Sequence, residues 1–250
     1  MRVIFRTGTM MFMFCFVQNS PLHAQSFMNK LEFGLQAGTF IYQGDLTPAR
    51  LGSFRTAGFQ LGVSASMPLN NFLSVRANIA AGKLKGDDGA YNNPEWRKHR
   101  DLNFRSPVIE ASALMVWDIT GNVQRHTGLA PYLFGGMGLA FLRVRRDASG
   151  FDAEYFPAAL DLPARVNADL EHATPRALFV LPVGAGVRYP LTERIALHAE
   201  TSYRLSFNDY IDGFSEAGNT SLRDHYQSYS VGLFYRFNSN NTVKCPVIRP

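Results

Sequence analysis

From residue 31 to residue 237 the chain repeatedly alternates large apolar side chains with small or polar ones, two residues per period, and no intervening helices are expected. Phe59, Leu61, Val63, Ala65 and Met67 interleave with Gly58, Gln60, Gly62, Ser64 and Ser66. Tyr229, Val231, Leu233, Tyr235 and Phe237 interleave with Ser228, Ser230, Gly232, Phe234 and Arg236. One or two such runs describe the half-buried strands of a soluble sheet. Eight of them, filling the chain, imply apolar faces that share one apolar solvent. In hydrocarbon every backbone N–H and C=O must be paired within the protein, and among sheets only a closed one does that.

The N-terminus reads as an address. Arg2 and Arg6 precede a short apolar core from Met10 to Val17, and Leu22-His23-Ala24 offers a cut before Gln25. That core is too short to span a bilayer, so residues 1–24 are expected to be a signal peptide, 25–237 the barrel and 238–250 a short periplasmic tail. Cys15 lacks the small residues that precede a lipidated cysteine, and the remaining Cys245 has no partner for an internal disulfide. Charged residues make up 18% of the chain and the mean hydropathy is −0.10. These values exclude a helical membrane protein and a disordered chain. They suit a barrel, whose lipid-facing and lumen-facing residues cancel. The net charge of +5 falls by two, to +3, without Arg2 and Arg6. The remaining basic residues are scattered, so no nucleic-acid partner is expected.

Strands are predicted at about 30–44, 54–67, 72–85, 102–118, 130–144, 177–189, 194–208 and 225–237. Each exceeds the roughly 9–11 residues that cross hydrocarbon at a tilt. In the first, Leu31, Phe33, Leu35, Ala37 and Ile41 are assigned to lipid. In the fourth, Leu102 and Phe104 have one parity while Ile109, Ala111, Ala113, Met115 and Trp117 have the other, so a bulge at Pro107 is expected to reset the register. The connections sort by length. Pro68–Asn71 and Pro190–Glu193 are short and Ile119–Leu129 is moderate. Asp45–Ser53, Gly86–Asp101, Arg145–Arg176 and Asn208–Asp224 are long and polar. This predicts an eight-stranded, antiparallel, up-and-down transmembrane β-barrel of OmpA/OmpX-like architecture in the bacterial outer membrane. Its termini are then periplasmic and its long loops extracellular. Trp117, Tyr189, Tyr235 and Phe237 would form one aromatic girdle, and Phe141, Phe207 and Tyr229 the other.

An eight-stranded bore is just wide enough to be filled by side chains. Its inward set includes Glu32, Arg76, Glu110, Arg188, His198, Glu200, Arg204 and Arg236. Charges buried together must pair, so these residues are expected to form a polar plug rather than line a pore. His198, Glu200 and Ser202 alternate on one face, the residue types of an acyl hydrolase relay. They face the packed interior instead of lipid, so no catalytic residue is assigned. A lipid-A-modifying acyl hydrolase and a narrow pore or ligand-binding barrel remain alternatives.

The closing strand, with Tyr229, Val231, Leu233, Tyr235 and terminal Phe237, reads as an assembly signal for the outer-membrane barrel assembly machinery. Asp209, Tyr210 and Asp212 form a loop motif whose acids suit turn formation more cheaply than calcium. The stretch Phe151 to Leu170 reads as a folded cap or a partner-binding surface. Paired glycines such as Gly34 and Gly38 make room inside the bore. No metal-ligand spacing and no phosphate loop occur, so no cofactor and no metal are expected. Outer-membrane lipid and other envelope proteins are the expected partners.

The chain resembles the small outer-membrane barrel proteins of Bacteroidetes that include PorG-like components of the type IX secretion system. The likeness is carried by Phe40-Ile41-Tyr42-Gln43-Gly44-Asp45-Leu46, by Leu102-Asn103-Phe104-Arg105-Ser106-Pro107-Val108-Ile109-Glu110, and by Pro131-Tyr132-Leu133-Phe134-Gly135-Gly136-Met137-Gly138. Asn208-Asp209-Tyr210-Ile211-Asp212 and Val243-Lys244-Cys245-Pro246 add to it. The family pattern carries another acid where this chain has Gly213. The resemblance implies an eight-stranded barrel and, for some relatives, a part in secretion; it brings no enzyme activity.

Overall fold

The computed structural model describes residues 31–49, 51–121, 128–157, 161–207, 210–218 and 224–237. The expected leader and the tail from 238 lie outside them. Eight long strands build the molecule: β1 (Glu32–Gln43), β2 (Gly58–Pro68), β3 (Leu73–Asp87), β4 (Asn103–Asp118), β5 (Ala130–Leu142), β7 (Ala177–Pro190), β8 (Ile195–Ser206) and β9 (His225–Arg236). A three-residue strand, β6 (Arg145–Asp147), continues β5 along the edge of β4. All the pairings are antiparallel, and β9 returns to pair with β1 from Glu32↔Arg236 to Gln43↔His225, which closes the sheet. Closure leaves none of the eight long strands at an edge.

The alternation sorts as a barrel wall should. Leu35, Val231 and Met137 are 67%, 61% and 60% exposed, and Phe59, Ile79, Ile109 and Phe179 stand out on the same surface. Water-soluble proteins rarely leave an apolar surface of this extent bare, whereas lipid tails solvate it. The inward rows are small, polar or paired. A Cβ on Gly34 would come within 2.3 Å of Ser64 Oγ and 2.8 Å of the Phe234 ring, and one on Gly232 within 2.5 Å of His198 Nε2. Glycine is thus what lets Phe234 and His198 lie across the bore.

Three expectations need correction. First, β4 has no bulge. Its register on β3 runs unbroken from Asp87↔Asn103 through Lys83↔Pro107 to Leu73↔Trp117. Leu102 and Phe104 therefore point inward, where both are buried. Proline is accommodated because the Pro107 carbonyl accepts from Arg143 N, so its missing N–H faces the same side. That side is the gap between β5 and β6, where the ladder is already interrupted. Second, Ile41 has outward parity but is buried, because Gly52, at φ +74, brings the first loop against its side chain. Third, the loops hold helices, α1 (Trp96–Arg100) and α2 (Leu162–Glu171). α2 starts with Pro in its first turn and buries Leu162, Val166 and Asp169, a spacing of i, i+4, i+7 that presents one face.

Placing a cation on the wall separates lipid from water as its solvent. Ile79→Arg, near the middle of β3, is expected to cost about 2–4 kcal/mol of stability in a bilayer, read from urea unfolding in vesicles. A cost near zero would mean that this face is not in hydrocarbon.

Candidate functional site: packed lumen and loop cap

Toward the end with the short turns, Glu32 accepts from Arg188 at 2.6 Å and from Arg236 at 3.1 Å. Farther in, Glu200 accepts from Arg76 at 2.5 Å and from the Tyr132 hydroxyl at 2.6 Å. Toward the long loops, fully buried Glu110 accepts from Arg204 at 3.1 Å and from the Tyr226 hydroxyl at 2.8 Å. Arg204 also donates to Ser228, and Arg76 to Ser66. Aromatic faces receive the guanidiniums: Arg188 and Arg76 lie 4.6 and 5.0 Å from the Phe234 centroid, and Arg204 lies 5.3 Å from that of Phe40. Arg76, Arg188 and Arg204 thus each meet an opposite charge and a π-face, which offsets their desolvation. Among Gln36, Arg76, Glu110, Glu200 and Arg204 the remaining space is about 10 Å³, roughly the room of one water.

All eight ionisable residues assigned to the lumen by parity have side chains buried on its inner face. His198 stacks on Phe234 at 4.0 Å, and its Nδ1 is 3.8 Å from Glu200. Among the described residues neither of its ring nitrogens is hydrogen-bonded, nor is Ser202 Oγ. A nucleophile, a base and an orienting acid need consecutive hydrogen bonds. Here Glu200 is engaged by Arg76 and Tyr132 instead, so the trio forms no relay. The closing-strand residues Tyr229, Val231, Leu233, Tyr235 and Phe237 all face outward, with Phe237 edge-on to Phe33 and Tyr235.

Above the ion pairs the filling changes character. Phe40, Tyr42, Leu84, Phe104, Val108, Leu178 and Val180 from the strands form one apolar cluster with Leu46, Leu102, Leu162, Val166, Ile211 and Phe214 from the loops. The loops interlock over it through buried polar groups. Asp88 accepts from Arg97 at 2.6 Å and from Arg100 at 2.5 and 3.0 Å, and both arginines also reach the Asp45 carbonyl. Asp169 of α2 accepts the backbone N–H groups of Ser215, Glu216 and Ala217. Arg146 gathers the carbonyls of Asp169, Leu170, His172 and Gly213. The stretch from Phe151 is therefore part of a folded cap, in which Phe151 and Phe156 stack at 5.7 Å.

Of the loop motif, Asp209 lies outside the described residues. Tyr210 stacks on His172 at 4.3 Å, and Asp212 accepts from Phe214 N at 2.8 Å and from the Tyr42 hydroxyl at 2.6 Å. These are turn and anchoring contacts. Among the described residues no group of three metal-ligating side chains comes together. Gly213 takes φ +86, and a Cβ there would fall 2.4 Å from Arg146 Cδ, which accounts locally for glycine at that point. The parity argument missed the Asp88–Arg97–Arg100 knot because loops carry no period. Arg97 and Arg100, three apart on α1, were its only signal.

No family model and no curated protein matches the chain. Among solved structures, Neisserial surface protein A is similar with a TM-score of 0.45 and 20% identity, covering 83% of this chain and 97% of that one. The attachment invasion locus protein Ail of Yersinia pestis is similar at 0.44 and 12%, with coverage of 83% and 97%. The outer membrane enzyme PagL is similar at 0.39 and 12%, with coverage of 82% and 99%.

Two outcomes test this site. Glu110→Gln strands Arg204 in the bore and is expected to cost about 3–5 kcal/mol, with most of the loss recovered in Glu110→Leu/Arg204→Met. The readout is the temperature at which the folded gel band converts to the unfolded one. In the cap, the Asp101 carboxyl is pushed above its ordinary value by burial and then by Asp87, Asp88 and Asp147. Its ionisation therefore opposes folding, an effect absent below the unfolded carboxylate range and complete above the raised folded value. Asp101 takes φ +40, which asparagine tolerates. Asp101→Asn should thus protect the loops from protease at neutral pH and lose that advantage at acid pH.

Proposed function

We propose that this protein is a non-enzymatic outer-membrane barrel acting as a structural or assembly component of an envelope complex, in the PorG-like manner of type IX secretion. The observation that carries the reading is a bore closed twice, by ion pairs and by the apolar cap. With the bore filled among the described residues, the reading places the protein's action on its outside: wall, loops and tail. The residues that carry the family resemblance also converge on the cap, since Tyr42, Leu46, Leu102, Phe104 and Ile211 belong to its apolar cluster. In this reading the short-turn end and both termini are periplasmic, the loop cap faces outward, and the closing strand is what the assembly machinery recognises. The tail with Cys245 is then the periplasmic contact.

Crosslinking in intact cells tests it. Deleting residues 238–250 should leave a folded, heat-modifiable barrel that loses its envelope partners; unchanged co-purification would overturn the assignment. Bilayer recording should show no discrete conductance. Lipid A mass spectra should be the same with and without the protein, and an acyl change that depends on His198 would reverse the non-enzymatic reading.

A further inference from the structure

On the outward face of β3, β4 and the β5–β6 edge, the rows change chemistry over a few residues. Ala81, Ile109 and Phe141 form an apolar row by direct pairing. Toward the loop end the next row is Lys83 and Pro107, with Arg143 joined to it by the Arg143 N to Pro107 O bond. The row after that is Lys85, Arg105 and Arg145, paired directly across three strands. Asp87, Asn103 and Asp147 end the patch.

Like charges placed opposite one another on a sheet repel. The lumen arginines satisfy their charge with glutamates, but among the described residues none of these five cations forms an ion pair or a side-chain hydrogen bond. Asp147 shares Arg105's field, and its carboxyl is held below its ordinary value chiefly by Ser149. Five cations against the bordering acids Asp87 and Asp147 leave the patch with a net positive charge open to an external anion. Exposed Phe59 and Phe141 border the cations on the bare wall, so whatever brings the anion also meets apolar side chains.

We propose that Lys83, Lys85, Arg105, Arg143 and Arg145 form a binding site for the phosphorylated headgroup of a lipid in the leaflet at the loop end. Three strands span about 10 Å across the sheet, the scale of one headgroup. Arginine and lysine together offer forked and single-point donors to phosphate oxygens. The lipid's acyl chains would lie on the row of Ala81, Ile109 and Phe141 below. A soluble phosphate would gain nothing from that row, and this favours the lipid as source. The inference rests on the membrane-barrel reading and is independent of any role in secretion.

The test is native mass spectrometry of the full barrel released from detergent after titration with bisphosphorylated lipid A, its monophosphorylated form, phosphatidylethanolamine or inorganic pyrophosphate. Wild type should retain the bisphosphorylated lipid most tightly. Lys85→Gln/Arg105→Gln/Arg145→Gln should weaken it by about tenfold or more, each surface cation being worth a factor of about five. Arg105→Gln alone should give a smaller loss, and Arg194→Gln, at the short-turn end beside Arg236, none. Equal retention by wild type and the triple variant, with both giving a heat-modifiable folded band, overturns the site. So does pyrophosphate binding as tightly as the lipid. Stability of the wild type in buffer without detergent would instead defeat the membrane reading itself.

Discussion

The pairing of every backbone N–H and C=O inside a medium that offers none is the constraint from which the rest of this structure follows. It forces β9 back onto β1 along a twelve-residue register, and with eight long strands that closure sets a bore too narrow for water-filled space. Everything that points inward must then be small, apolar or neutralised. The glycines that make room for Phe234 and His198 and the glutamates that hold Arg76, Arg188 and Arg204 answer the same geometric demand.

The molecule fills its bore in two ways. In the part nearer the short turns, ion pairs are sandwiched by aromatic rings, an arrangement that costs desolvation and returns fixed geometry more than net stability. Nearer the long loops, apolar side chains of the strands continue into an apolar core built by the loops. That second core is what the described parts of the long loops pack on. Asp88, Asp169 and Arg146 each gather several donors or carbonyls from other segments, so the cap behaves as one folded unit. With the bore filled among the described residues, the outer surfaces are the accessible parts of the molecule.

The wall carries its own gradient. Where β3, β4 and β6 run toward the loops, apolar rows give way to cations and then to acids within three pairings. This is the profile expected where hydrocarbon meets charged headgroups. The inner and outer faces of the same strands thus solve different electrostatic problems. Inside, charge is balanced within the chain; outside, on this flank, it is left for the surroundings to balance.

Parity along each strand was readable from residues alone, because a side-chain period of two assigns a face without knowledge of any neighbour. That determined the strand count, the bare apolar wall and the burial of Glu32, Arg76, Glu110, Arg188, His198, Glu200, Arg204 and Arg236. Which of these meet was decided only by closure: Arg76 and Glu200 lie on β3 and β8, 124 residues apart, and touch across the lumen. The inward turn of Leu102 and Phe104, the α2 helix and the Asp88 knot were also left to the tertiary structure. Each depends on an apolar cap that several loops build jointly, and no local period records a surface that exists only once the chain has folded.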